Sequence, residues 1–150
     1  MGKIIALAKE RDVVVKEVGE EKLAALLGRG VKHGGAAASM AAASYSTVED
    51  ILKVSGEKGM PPFIIAADGI QDPHNLGAII RTAEAAGADG VIITKRRSAS
   101  LTSTVFKTSA GAASWIKVAR VSSLASALEE LKKKNIWIYG AEADGVPFHK

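Results

Sequence analysis

Residues 63–94 decide the fold and have the sequence FIIAADGIQDPHNLGAIIRTAEAAGADGVIIT. The apolar runs at 63–67 and 91–94 predict two strands, and the alanine-rich run at 76–86 between them predicts a helix. The Asp-Pro pair at 72–73 marks a helix start, because aspartate accepts bonds from free backbone amides and proline fits the first turn. This order of elements predicts a parallel pair of strands.

The same order repeats further along the chain. A short helix near 101–107 is followed by a strand at 116–121, a helix at 123–134 and a strand at 136–139. Strands of this apolar kind are covered on both faces, so the sequence predicts a doubly wound parallel sheet of the α/β class. The pattern also predicts caps of the last helix at Ser122 or Ser123 and at Asn135, and core packing for Trp115, Trp137 and Tyr139.

The first third of the chain is less regular. The β-branched run at 13–18 predicts a strand, residues 20–27 predict a helix that Gly28 ends, and the alanine-rich run at 36–43 is interpreted as a partner strand. Ser46 or Thr47 would cap another short helix. The predicted organisation is part of a small α+β module over 1–55, a linker rich in glycine and proline at 56–62, and an α/β domain over 63–150.

Composition excludes several classes of protein. The chain has 150 residues, a net charge of +4 and no cysteine, which excludes disulfide scaffolds, zinc fingers, iron–sulfur clusters and thiol nucleophiles. A reducing compartment fits, and we expect a cytoplasmic protein without a metal. No run approaches the roughly 20 apolar residues of a membrane helix, so no membrane partner is expected. The charge alone is too mild to indicate nucleic acid.

Asn75 and Arg81 are the polar residues that helix formation does not explain. They follow the carboxyl end of a predicted strand, where open α/β sheets bind their ligands. Arg81 lies four residues after Gly77 on one helix face, and a glycine there would clear room beside a guanidinium. That face suits a phosphate or a ribose. The structural alternative is a surface ion pair between Arg81 and Glu84.

Residues 72–93, DPHNLGAIIRTAEAAGADGVII, resemble the first signature motif of the SpoU (TrmH-like) branch of the SPOUT RNA methyltransferases. Residues 107–112, KTSAGA, resemble the segment that follows it in that family. Upstream, residues 17–36 resemble the tail of a ribosomal-protein-like RNA-binding domain, with Gly34 where the family commonly has glutamine. The resemblance extends to the type that methylates guanosine ribose in 23S ribosomal RNA.

The resemblance implies transfer of a methyl group from S-adenosylmethionine to a ribose 2′-hydroxyl, with ribosomal RNA favoured over transfer RNA as substrate. It assigns the catalytic positions to Asn75 and Arg81 and the cofactor loop to Gly140, Ala141 and Glu142. The family's remaining cofactor segments and its knot-forming tail have no counterpart before residue 150. The resemblance therefore implies a truncated, unknotted chain that lacks most of the cofactor site, from a family whose full-length members form homodimers.

RNA contact requires further cations. The triplet Lys95, Arg96 and Arg97 follows the second strand at the same sheet edge and could meet backbone phosphates, or it could be an ordinary solvated loop. Lys32 and His33 could add RNA contacts from the small module. The lysines at 132–134 are interpreted as a solvated helix end.

The residues leave the mechanism and two other functions open. Because arginine stays protonated in proteins, we favour a positional role in which Arg81 binds phosphate and stabilises developing alkoxide, while Asn75 orients the ribose or Arg81. The first alternative function is an RNA-binding fragment without catalysis. The second is an α/β domain whose helix start at Asp72 holds the phosphate of a mononucleotide.

Overall fold

The computed structural model describes residues 2–28, 30–39, 44–141 and 145. The chain divides into two compact units, Met1–Ala41 and Ala42–Lys150, which we call the first unit and the second unit. Within the described part of the chain, no helix is both long and apolar enough to cross a membrane.

The described part of the second unit is built on three parallel strands in the spatial order β1-β2-β3. Its register places Ile65 of β1 opposite Val91 of β2, which lies opposite Val118 of β3. The predicted α/β class with a parallel sheet is confirmed. The elements follow the chain as α3 (Val48–Lys58), β1 (Ile64–Ala67), α4 (Pro73–Ala85), β2 (Gly90–Thr94), α5 (Ser103–Thr108), a 3-10 turn (Ala112–Ser114), β3 (Lys117–Val121) and α6 (Leu124–Lys133).

Helices cover both faces of the sheet, as predicted for a doubly wound fold. Val91 and Ile93 of β2 pack with Ile80 of α4 on one face, in a cluster that α5 and the 3-10 turn complete. Ile92, between them in the strand, packs on the other face with residues of α3 and α6 such as Ile51. Successive side chains of a strand point to opposite faces, so this alternation produces two separate cores.

The predicted helix starts are confirmed by their hydrogen bonds. An Asp72 carboxylate oxygen accepts the backbone amide of His74 at 2.9 Å at the start of α4. Thr47 caps α3 through a reciprocal capping box with Asp50, and Ser123 caps α6. Asn135, just after α6, has a left-handed φ of 61°, a conformation that asparagine tolerates at helix ends.

The first unit contains α1 (Gly2–Glu10) and α2 (Glu20–Leu27), and the predicted end of α2 at Gly28 is confirmed. The predicted strand at 13–18 is wrong: these residues form no strand, and Val14 is 81% exposed. A strand requires a partner, and residues 36–39 of the predicted partner are not a strand either. The remainder of that alanine-rich run, 40–43, lies outside the described residues.

The predicted strand at 136–139 is also wrong, because these residues pair with no strand of the sheet. Their side chains nevertheless alternate, with Ile136 and Ile138 packed against the α3 and α6 core. Trp137 and Tyr139 point away and are 83% and 86% exposed, and Trp115, ahead of β3, is 81% exposed. The prediction that these three aromatic residues are core residues is therefore wrong.

The predicted linker at 56–62 differs from the observed division of the chain. Helix α3 continues to Lys58 and ends at Gly59, which has a left-handed φ of 63°. The Lys58 ammonium lies 2.7 Å from the buried carboxylate of Asp89, which also accepts the backbone amide of Phe63 at 2.9 Å. Since these contacts and the buried Ile51 fix α3 on the sheet, α3 belongs to the second unit.

Candidate nucleic-acid interface

The segment of residues 95–101 that leaves the carboxyl end of β2 is called the basic loop. Its cations Lys95, Arg96 and Arg97 are all exposed. Within the described ranges, none of them forms a salt bridge with a carboxylate, whereas Lys132 and Lys133 of α6 lie 2.9 and 2.6 Å from glutamates of their own helix. The basic loop therefore carries positive charge that the described residues leave uncompensated.

Hydrogen bonds fix the backbone of the basic loop. The Lys95 amide donates to the Val121 carbonyl at 2.7 Å, and the Thr94 hydroxyl donates to the Arg96 carbonyl at 2.6 Å. Arg97 has a left-handed φ of 57°. An ordinary solvated loop does not need its backbone bonded to a strand. These bonds therefore favour a loop whose backbone holds the three cations at fixed positions relative to the sheet.

The basic loop is joined to the segment that leads from β1 into α4. The amide of Ala99 donates to the carbonyl of Ile70 at 2.8 Å. Asn75 follows in the first turn of α4, where its side chain is exposed. The positive end of the α4 dipole lies at this turn, which adds to the attraction for anions. The structure thus brings Asn75 and the basic loop to the same edge of the sheet.

Arg81 is exposed, and its Nη1 donates to the carbonyl oxygen of Thr108 at the end of α5, at 3.3 Å. The alternative ion pair with Glu84 is not among the salt bridges of the described residues. In an ideal helix, six residues separate Asn75 from Arg81 by about 9 Å along the axis and about 120° around it. The two predicted catalytic residues therefore lie on different sides of α4.

Gly77 has a role other than the predicted one. A Cβ built on Gly77 would clash with the hydroxyl oxygen of Thr108 and would lie 3.0 Å from the backbone nitrogen of Ser109. The glycine therefore clears room for Thr108 of α5 and not for the guanidinium of Arg81. Both Gly77 and Arg81 still face Thr108, so their shared helix face is confirmed.

Two residues of the interface, Tyr45 and Arg120, are missing from the sequence-based predictions. The guanidinium carbon of Arg120 lies 5.1 Å from the centroid of the Tyr45 ring, and its Nη2 donates to the Lys95 carbonyl at 3.0 Å. The Tyr45 hydroxyl accepts the amide of Leu101 at 2.9 Å. A signal for Arg120 existed, since a charged residue between Ala119 and Val121 in the interior of a parallel strand is unusual.

The predicted cofactor loop is only partly described. Gly140 and Ala141 are exposed, and Glu142 lies outside the described residues. A Cβ built on Gly140 would meet no atom within 4 Å, so the backbone here is open. Two exposed residues do not by themselves enclose an S-adenosylmethionine, although their open backbone would leave room for one. The described residues also contain no group of three or more histidine, aspartate or glutamate side chains placed to hold a metal.

The predicted RNA contacts of the first unit lie in a turn. Lys32 is exposed, while His33 is partly buried and its Nδ1 accepts the amide of Gly35 at 3.1 Å. Gly34 and Gly35 both have left-handed φ values, of 56° and 83°. His33 therefore has a structural contact that accounts for its position, and Lys32 is exposed and forms no salt bridge with any residue that the structure describes.

Comparisons with known proteins point to one family. The profile of the SpoU rRNA Methylase family matches residues 62–150. A protein of Bacillus subtilis (strain 168) named as a TrmH family tRNA/rRNA methyltransferase, YacO, is 44% identical over 140 residues, which are 93% of this chain and 55% of that protein. A TrmH family relative from Staphylococcus haemolyticus (strain JCSC1435) is 43% identical over 141 residues, 94% of this chain and 56% of the relative.

Among solved structures, the SpoU methyltransferase AviRb from Streptomyces viridochromogenes, in complex with the cofactor AdoMet, gives a TM-score of 0.45 at 25% sequence identity. The similarity covers 49% of this chain and 29% of AviRb. The chain spans little more than half the length of YacO and of the Staphylococcus haemolyticus relative.

Proposed function

The chain belongs to the SpoU rRNA Methylase family, and on that premise we propose that it acts in RNA methylation, with the second unit supplying the RNA-binding side of the site. The methyl donor in this proposal is S-adenosylmethionine and the acceptor is a ribose 2′-hydroxyl. Ribosomal RNA as the target and a homodimer extend the proposal on the strength of the family resemblance, and a cytoplasmic location extends it on the cysteine-free composition.

The main support for the proposal comes from the basic loop. Its three cations are exposed, without a salt bridge in the described part of the chain, and held on a hydrogen-bonded backbone beside the start of α4. RNA offers a row of phosphates, and arginine and lysine at fixed positions bind such a row with release of counterions. Lys32 of the first unit would add a further phosphate contact.

Arg81 and Asn75 would orient the RNA. The bond from one Arg81 nitrogen to the Thr108 carbonyl fixes the guanidinium and leaves its other donors for a phosphate or for the developing charge on the attacking oxygen. Asn75 offers both a donor and an acceptor to a ribose from the first turn of α4. Alignment of the reacting atoms supplies much of the acceleration of such a displacement, so these residues act by position and not as bases.

Salt-dependent RNA binding tests the interface. We would compare the chain with a triple variant, Lys95→Ala, Arg96→Ala and Arg97→Ala, on a labelled hairpin RNA. The matched control removes the same charge from α6 through Lys132→Ala, Lys133→Ala and Lys134→Ala. The basic-loop variant should bind more weakly, with a slope of log Kd against log salt reduced by about 2 to 3, while the control changes it by less than about 1. Equal losses in both variants would contradict a specific interface.

The chemistry is tested by incubating the chain with RNA and methyl-labelled S-adenosylmethionine, followed by alkaline hydrolysis. Methylation of a 2′-hydroxyl blocks cleavage of the neighbouring phosphodiester, so the proposal predicts label in alkali-resistant dinucleotides. Label in mononucleotides would indicate base methylation and overturn the ribose assignment. RNA binding without any transfer would favour the non-catalytic alternative for this chain.

A further inference from the structure

Two side chains outside the basic loop hold its two ends. Arg120 of β3 donates to the carbonyl of Lys95, the first residue of the loop, at 3.0 Å. Tyr45 accepts the amide of Leu101, the last residue of the loop, at 2.9 Å. We propose that this pair, the Tyr45–Arg120 clamp, positions the cations of the basic loop for RNA phosphates. The inference rests on the proposed function and adds two positioning residues to it.

The clamp is itself anchored. The Tyr45 ring lies against the guanidinium of Arg120, with 5.1 Å from the ring centroid to the guanidinium carbon. The next residue, Ser46, donates its backbone amide to the carbonyl of Val118, so the chain before α3 is bound alongside β3. Both members of the clamp therefore hold the loop from the rigid sheet, which preorganises the loop before RNA arrives.

Stability alone does not explain an arginine at position 120. The Nε of Arg120 is buried and has no hydrogen-bond partner among the described residues, a costly state for a charged group. An apolar residue would avoid this cost in a strand covered by helices. Arg120 also adds a fourth cation next to three that already repel one another. An anionic partner such as an RNA backbone turns this concentration of charge into a favourable interaction.

Tyr45→Phe separates the clamp from simple charge effects, because it keeps the ring and changes no charge. In the full chain with a labelled hairpin RNA, we expect binding about fivefold weaker, the size of one lost hydrogen bond. The slope of log Kd against log salt should also fall, since the loop cations disengage although none is removed. The matched control is Tyr139→Phe, whose side chain is 86% exposed, and it should leave binding unchanged.

A double-mutant cycle with the triple alanine variant of the basic loop decides whether Tyr45 acts through the loop. If it does, adding Tyr45→Phe to that variant should change affinity by less than about 1.5-fold. An equal loss in both backgrounds, or no loss with the native loop, would overturn the clamp. Arg120→Lys, which keeps the charge and loses the planar contact, provides an independent variant should Tyr45→Phe fail to fold, and it should weaken binding in the same way.

Failure of the clamp and failure of the proposed interface are distinguishable. If the triple alanine variant binds the hairpin less tightly and Tyr45→Phe does not, only the clamp is wrong. If the triple alanine variant binds as tightly as the unaltered chain, the interface itself is wrong, and the clamp is wrong with it.

Discussion

The two units differ in what their apolar residues do. In the second unit, apolar residues of strands β1 to β3 and helices α3 to α6 pack into cores on both faces of a sheet. In the described residues of the first unit, Leu23 is the one buried hydrophobic side chain, while Val14 and Leu26 are 81% and 71% exposed. Similar local propensities therefore yield a core only where non-local partners exist.

The largest contrast concerns core truncation. Ile80→Ala removes a side chain that is fully buried against β2, and it should lower the free energy of unfolding of the second unit by about 3 to 4 kcal/mol. Leu23→Ala should change the free energy of unfolding of the second unit by less than about 1 kcal/mol, because Leu23 belongs to the other unit and no further hydrophobic side chain is buried in the described part of that unit. Denaturant unfolding followed by circular dichroism measures both. Similar losses would show that the two units unfold as one.

Two glycines of the second unit should respond with opposite signs. Gly77→Ala forces α4 away from Thr108 and the backbone of Ser109, at a cost of about 2 to 3 kcal/mol. Gly56→Ala lies in helix α3 with no atom within 4 Å of the new Cβ, and it should stabilise by about 0.5 to 1 kcal/mol. Thermal unfolding of both variants checks this. A neutral Gly77→Ala would contradict the close contact between α4 and α5.

Helix caps give a smaller contrast between the units. Thr47→Ala breaks the capping box of α3 and should cost about 1 kcal/mol. Gly19 precedes α2 and makes no side-chain cap bond. Because glycine is itself a tolerated residue before a helix, Gly19→Ser should stabilise α2 by less than about 0.5 kcal/mol. Hydrogen exchange of the amides in the first turn of each helix measures the two effects. A larger response at α2 would reverse the comparison.

The smallest expected effect is a pH dependence of the capping box at the start of α3. The Asp50 carboxylate accepts the backbone amide of Thr47 at 3.0 Å. This bond, together with the hydroxyl of Thr47 and the ammonium of Lys53, holds the pKa of Asp50 below its ordinary value of 3.8. A lowered pKa means that the carboxylate stabilises the fold above its ordinary pKa and that this contribution is lost as the pH falls through the lowered value. An NMR titration of Asp50 should give a midpoint below 3.8, and a higher midpoint would contradict the box.

Local patterns predicted much of the second unit. The segment from 63 to 94 contains its own strand, cap, helix and strand, so β1, α4 and β2 lie within a few residues of their predicted bounds. Predictions failed where structure depends on distant partners. The valines at 13–18 have strand propensity but no partner, and the aromatic residues at 137 and 139 alternate out of the core.

The candidate site shows the same limit. Asn75, Arg81 and the basic triplet stand out as polar residues in a recognisable motif. The contacts of the site cannot be read from the sequence in the same way. Arg81 bonds to Thr108, 27 positions away, and Tyr45 bonds to Leu101, 56 positions away. Pairings at such separations depend on how the strands are ordered in the sheet, which local sequence does not encode.

Hydrogen exchange of the full chain, with and without a hairpin RNA, tests the central claim most directly. It reports on both units in one experiment. If the second unit supplies the RNA-binding surface, RNA should slow exchange in the basic loop, at residues 95–101, and in the first turn of α4. Slower exchange confined to residues 30–39 of the first unit, with the basic loop unchanged, would contradict the account.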